Sequence, residues 1–438
     1  MTTVNLPDYP KGTEFEEFIS AYLQCSGRFI ERNLHERAPD DVCELDITLT
    51  DQKSENATTM IVEVKSGGWK LHDLFTLRGK MHYLGVPEAA FVTLGLPDKP
   101  DLLQGVAEKL GIHLACVETH EQAEAALAPH LGDVKCGDAD IEIWRYSYWM
   151  ERSLVEELRR LRKSSDRVGP TVVWDYYQVL QTNLFQQDML RRTVGLYRLF
   201  MEQPHLAARW SQEMSGGDWT GDHHKVRSDV FSEVYYDHPD CVHELNLVTY
   251  VEQKMRLAIL KNLVDYELYR RSHGEDAVNN LLMTVGEHEL HFVDLLPASF
   301  RDALAVLSGR DHFHRYAVLW QWFLWVFGGF ILTDYEAQEY EHLGRVAGMP
   351  AACVPEALEA FDILFPAAGG WFRDLRPYSN VRLLQLSPTP FFGIGANYRR
   401  SLYIDDAPLA TLDVKGPYTA TNLSRWNNCA VTYLSQAT

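Results

Sequence analysis

Several function classes are closed off by what the chain lacks. Its seven cysteines (25, 43, 116, 136, 241, 353 and 429) are scattered, odd in number and without a C-x-x-C pair. That pattern argues against a disulfide framework or a cysteine zinc site and reads as reduced thiols in a cytoplasmic protein. The opening MTTVNLPDYPKGTEF has neither the basic start nor the apolar run of a signal peptide. No G-x-x-x-x-G-K-[ST] string occurs, so an ATPase motor of that type is excluded. His288-Glu289-Leu290-His291 is followed by Phe292, so the two-turn H-E-x-x-H zinc geometry fails. His312 and His314 read as structural or surface histidines.

Positive charge is also scarce. The chain carries 41 Lys and Arg against 61 Asp and Glu, a net charge of −20. Residues 1–135 alone hold 12 against 22, a balance of −10. Lys and Arg contacts to phosphate supply much of the affinity for nucleic acid. Any such substrate must therefore be captured by a local patch, by another part of the chain, or by a partner. Long apolar runs are limited to Ala317–Leu332 (AVLWQWFLWVFGGFIL), broken only by Gln321 and flanked by Arg315 and Asp334. A membrane span needs about twenty apolar residues, so this run is expected to be a buried core helix. No stable membrane insertion is expected, and a membrane-active effector is the lesser reading.

What is present is a folded, multidomain chain. Its 438 residues exceed one ordinary core, and 46% hydrophobic against 23% charged residues is a globular balance. Thr13–Cys25 has apolar residues at 15, 18, 19, 22 and 23, one helical face, with Thr13 as cap, Glu16 in a capping-box position and Gly27 as terminator. Strand-like runs follow at Arg28–Leu34, Val42–Thr50 and Thr59–Lys65. Lys70–Leu84 returns to helical spacing. Ala89–Leu94 is a short buried strand, Leu102–Leu110 a helix, Ile112–Val117 a strand and Glu121–Leu131 a helix. This α-β-β-β-α-β-α-β-α order predicts a mixed sheet with helices on its faces. Residues 136–375 carry long helical patterns such as MERSLVEELRRLRK, and predict a mainly α domain. Residues 376–438 break into short strand-like pieces with 6 Lys and Arg against 3 Asp and Glu, and predict a small β-rich, basic and aromatic segment.

Chemistry concentrates on the second and third strands. Residues two apart on a strand share a face, so Glu63 and Lys65 project together while Val62 and Val64 face the other way. Asp46, on the preceding strand, meets them if the strands pair in suitable register. Charges inside the apolar run MIVEV are costly without a purpose, which favours an active site over a surface ion pair. Two carboxylates suit a hard divalent cation, and Lys65 would orient or deprotonate a water or neutralise a phosphate.

ELDIT, with Asp46 seventeen residues before Glu63, and then VEVKSG resemble the core of the PD-(D/E)xK (restriction endonuclease-like) nuclease superfamily. GTEFEEF resembles the G-x-x-F-E opening of Mrr-like members, and by that match Glu16 helps organise metal, with Glu17 as its neighbouring rival. The resemblance covers roughly residues 10–120, and the superfamily's proline is absent before Asp46. It implies a restriction endonuclease-like domain over 1–135, with Asp46, Glu63, Lys65 and Glu16 catalytic. Asp46, Glu63 and Glu16 would hold Mg²⁺ (or Mn²⁺), and the activity would be endonucleolytic hydrolysis, of DNA sooner than RNA. It also implies contact between Arg78 or Lys80, on the helix after the lysine strand, and the substrate backbone.

In the tail, Arg399, Arg400, Lys415 and Arg425 interleave with Tyr398, Tyr403, Tyr418 and Trp426, a combination that suits single-stranded nucleic acid. Arg159, Arg160, Arg162 and Lys163 offer a phosphate-binding cluster, but beside Glu156 and Glu157 they read first as a charge-paired helix face. A nuclease head on a large noncatalytic body is similar in plan and size to the nuclease–APAZ partners of short prokaryotic Argonautes. That likeness implies a regulated antiviral effector activated by a protein partner, which would be a short Argonaute, or by homo-oligomerisation. The contrasting expectation is a catalytically silent scaffold with a nuclease-like core.

Overall fold

The computed structural model describes residues 6–36, 42–52, 57–132, 136–164, 168–181, 239–285, 287–365, 381–383 and 391–404. Its first part runs α1 (Thr13–Cys25), β1 (Phe29–Glu36), β2 (Cys43–Asp51), β3 (Thr58–Lys65), α2 (Leu71–Leu84), β4 (Glu88–Leu94), α3 (Pro100–Leu110), β5 (Ile112–Val117) and α4 (Ala123–Leu131). The five strands form one sheet in the order β1-β2-β3-β4-β5. The first three pair antiparallel, and β3, β4 and β5 pair parallel. The mixed sheet and its helices follow the order that the hydrophobic pattern predicts.

The sheet buries both faces. On one, Ile47, Leu49, Val62, Val64, Val92 and Val117 lie under Phe15, Phe18, Ile19 and Leu23 of α1 and Leu127 and Leu131 of α4. On the other, Ile61, Phe91, Ala89 and Leu114 pack with Leu74, Leu77, Met81 and Leu84 of α2. Each buried large apolar side chain contributes about 1.5–3 kcal/mol relative to exposure. Glu63 and Lys65 are in phase with Ile61, which places them on the α2 side.

The start of α1 differs from the expected Thr13 cap. Thr13 is the first helical residue, Gly12 is the N-cap, and no side chain caps the helix. Gly12 takes φ 58°, which a residue with a Cβ adopts only with strain. Its N–H donates to Ser66 Oγ at 2.8 Å, tying the head of α1 to the end of β3.

The remainder is mainly helical. It comprises α5 (Asp138–Ser164), α6 (Val168–Gln181), α7 (Pro239–His273), a β6–β7 hairpin (Leu282–Val285, His288–His291), α8 (Ala298–Leu307), α9 (Tyr316–Trp325), β8 (Phe330–Leu332), α10 (Glu336–Ala347), α11 (Val354–Leu364), β9 (Val381–Leu383) and α12 (Phe392–Arg399). β8 pairs antiparallel with β9. The hairpin and β8 interrupt a stretch expected to be helical. These strands are only three or four residues long, too short to show a period. The tail differs as well: besides β9, its described residues form α12 and a π-helical segment, Arg400–Ile404, where strands were expected. Lys415, Tyr418, Arg425 and Trp426 lie outside the described residues.

The apolar run Ala317–Leu332 is buried within the protein and is not one helix. α9 ends at Trp325, and the chain turns through Gly328 and Gly329, both at positive φ, into β8. Among the described residues no helix is long and apolar enough to cross a membrane. Gln321 faces the buried outer edge of β1: its Oε1 accepts the Ile30 N–H at 3.1 Å, and its Nε2 donates to the Ile30 carbonyl at 2.6 Å. The sheet and the helical part thus share one hydrophobic cluster, running from Ala21 and Phe29 to Trp322 and Phe327.

Candidate active site

β2 and β3 stay paired as far as Ile47↔Val62. One step further the register sets Asp46 opposite Glu63, and there the strands part. Val64 donates its backbone N–H to Asp46 Oδ2 at 2.9 Å, so a side chain takes the place of a ladder partner. The core positions of β2 change side here: Ile47 and Leu49 lie under α1, whereas Leu45 joins the α2 side. The neighbouring strand is irregular at the same level. The β1–β2 ladder skips the Asn33–Asp46 step, and Asn33 is the one non-glycine residue at positive φ (52°) among the described residues. Sparsely populated backbone of this kind clusters at functional sites.

Asp46, Glu63 and Lys65 meet at this fork. Lys65 Nζ lies 2.6 Å from Glu63 Oε1 and 3.4 Å from Asp46 Oδ2. The other oxygen of Glu63, Oε2, accepts from Lys80 Nζ of α2 at 2.8 Å. Glu63 is only 8% exposed. Burial, then the neighbouring Glu63 charge, pushes the Asp46 carboxyl above its ordinary range, against the Val64 N–H and the two lysines. Burial works against the Lys65 ammonium, but its hydrogen bond to Glu63 and the Asp46 charge hold it above the usual lysine value. A lysine so held is charged at neutral pH, which favours neutralising a phosphate over deprotonating water.

The two candidate acids of α1 separate. Glu16 accepts from Arg32 of β1 at 3.0 Å, and burial, with Asp46 among the nearby charges, raises its carboxyl. Glu17 turns to α5, where Arg152 donates to it at 2.7 Å. Glu16 therefore stands on the Asp46 side and Glu17 in the packing against the helical part. Arg32 is a residue the sequence reading passed over. It is buried, bonds Glu16, and lies 3.9 Å from Glu151 of α5. Its signal was an arginine inside the strand run FIERN, followed by an asparagine, a residue tolerant of left-handed geometry.

The expected substrate contacts fare unevenly. Lys80 is engaged by Glu63, and Arg78, exposed on the same helix, makes a 4.0 Å contact to Met81 Sδ. Arg399 must be corrected: it is fully buried, ion-paired to Glu339 and donating to the Phe327 and Phe330 carbonyls, so it cannot touch nucleic acid. Tyr398 beside it is buried as well. Sequence alone could not tell a basic-aromatic surface from a buried guanidinium ringed by Phe327 and Phe330. The Arg400 side chain lies outside the described residues. Arg160 pairs with Glu157 as a helix face.

Among the described residues no group of three or more His, Cys, Asp or Glu is gathered as a metal cage. The donor set still fits Mg²⁺, which is commonly held by one or two carboxylates with waters and substrate phosphate. Two carboxylates converge at the fork, and the proximity of Glu63 is one of the causes that raise Asp46. Compared with known proteins, the chain matches no family model, no curated protein and no solved structure.

Proposed function

We propose that the N-terminal domain is a metal-dependent nuclease of the PD-(D/E)xK kind. The observation that carries this reading is the convergence of Asp46, Glu63 and Lys65 where β2 and β3 part, with Lys65 in reach of both carboxylates. Asp46 and Glu63 would hold Mg²⁺ or Mn²⁺, with Glu16 nearby. Bound there, the ion would offset phosphate charge and acidify a water. Lys65, kept protonated, steadies the negative charge that develops on the phosphate. Arg78, exposed on α2, is the basic group left to meet a phosphate backbone while Lys80 holds Glu63; nucleic acid as substrate, DNA sooner than RNA, follows from the superfamily resemblance. The further reading, of a regulated effector as in prokaryotic antiviral defence, switched on by a protein partner such as a short Argonaute or by self-association, rests on likeness in plan and size alone.

The test is cleavage of plasmid, single-stranded DNA and RNA with Mg²⁺ or Mn²⁺, using the lone protein and the protein isolated with its native partners. Wild type cleaves and Lys65→Ala does not. Cleavage surviving Lys65→Ala removes the assignment.

A silent scaffold is the second reading, and one observation favours it: both oxygens of Glu63 are already engaged by lysines. Calorimetric titration with Mg²⁺ separates the two. A wild-type heat lost in Asp46→Ala supports the nuclease, and no heat from either supports the scaffold.

A further inference from the structure

We propose that the cavity enclosed by α1, β1, α5, α6 and α7 binds a nucleotide, either free or as one unit of a strand. It measures about 270 Å³, just under the usual range of ligand sites, about 300 to 1,000 Å³. A single nucleotide suits that volume better than a dinucleotide.

The walls supply three chemistries. Trp174 and Tyr177 of α6 present aromatic rings for a base. Arg159 of α5 lies 5.5 Å from the Trp174 ring centroid and has no ion pair among the described residues, in contrast to the adjacent Arg160, which is held by Glu157. A guanidinium so placed suits phosphate. The carboxylates of Glu17 and Glu151 are already matched by Arg152 and Lys254. They are placed to accept from ribose hydroxyls or a base amine.

The cavity is joined to the candidate catalytic centre through one residue. Arg32 lines it and bonds Glu16, so occupancy and catalysis share a side chain. That last link rests on the nuclease reading, whereas the binding itself does not.

The experiment is isothermal titration of the full chain, in metal-free buffer, with AMP, GMP, CMP, UMP and a ten-nucleotide oligothymidylate. Without metal, the result is independent of whether the protein cleaves. At least one probe binds, and Arg159→Glu weakens it by about tenfold or more, equivalent to about 1.4 kcal/mol. Lys163→Glu, an exposed position further along α5, leaves the affinity unchanged. Response of a mononucleotide identifies a free ligand, and response of the oligonucleotide alone identifies a unit of a strand. The proposal is overturned if no probe binds at about 1 mM, a threshold of about −4.1 kcal/mol. It is equally overturned if Arg159→Glu binds as wild type does, or if both variants weaken binding alike.

Discussion

Gln321 holds both backbone groups of Ile30, acting as a surrogate strand on the edge of the sheet. An open edge exposes a row of unpaired N–H and C=O groups and invites pairing with another chain. The single polar residue in the apolar run of α9 is therefore one of the groups that join the helical part to the sheet. Gln24 of α1 donates to Gln321 Oε1 at 2.6 Å, and Tyr148 donates to Gln24 at 3.2 Å, so the joint is a buried network.

Replacing Gln321 with Leu keeps the volume and removes every partner. The Ile30 amide and carbonyl and the Gln24 amide then lie buried without bonds, at about 1–3 kcal/mol for each unsatisfied group. Urea denaturation should show a loss of about 3 kcal/mol or more, the low end for three such groups. A loss below about 0.5 kcal/mol would mean that water satisfies this edge.

The sheet was legible in the sequence because its strands alternate or run apolar between polar turns, and a period of two places their side chains except at the Asn33–Asp46 step, where β2 changes side. Glu63 and Lys65 were legible for the same reason: charges in MIVEVK stand out against a buried run. Arg32 was not, because its meaning depends on Glu16 and Glu151, both distant in sequence. Arg399 misled for the converse reason. A basic residue among aromatics signals an open stacking surface or a caged guanidinium, and only Glu339, sixty residues away, decides between them.

Lys80 competes with any cation for Glu63. Its ammonium donates to Glu63 at 2.8 Å, within a partly buried pair. Lys80→Met removes that competitor, and releasing about 1 kcal/mol of pairing should tighten Mg²⁺ binding about fivefold. Calorimetry reads the affinity directly. Unchanged or weaker Mg²⁺ binding would count against Glu63 as a ligand.

Glu16 and Glu17 can be separated by function. Glu16→Gln should lower metal-dependent cleavage by about 10–100-fold, the usual cost of disturbing groups that organise a metal site. Glu17→Gln loses the Arg152 pair and should cost about 1 kcal/mol of stability. Its cleavage rate should stay within about threefold of wild type, a difference of less than 1.4 kcal/mol in barrier. If the two variants exchange these behaviours, the catalytic acid on α1 is Glu17.

Asp140 carries a pH-dependent share of the stability. It opens α5 and accepts the Gly137 N–H at 2.9 Å, with His342 Nε2 of α10 at 3.2 Å and the Tyr398 hydroxyl of α12 donating to it. Burial would raise its carboxyl, but the His342 and Tyr398 hydrogen bonds outweigh that and bring it down to about 2. A carboxylate depressed in the fold adds stability above its ordinary pKa, and that stability is lost as pH falls through the folded value. The window is therefore from about pH 4 down to about pH 2, and a shift of this size corresponds to about 2 kcal/mol. Asp140→Asn should be about 2 kcal/mol less stable than wild type at pH 7 by urea denaturation. The gap between the two should close across that window, because wild type then loses a charge interaction that the variant never had. A gap that stays constant from pH 7 to pH 2 would show that the cluster binds through neutral hydrogen bonds and not through the Asp140 charge.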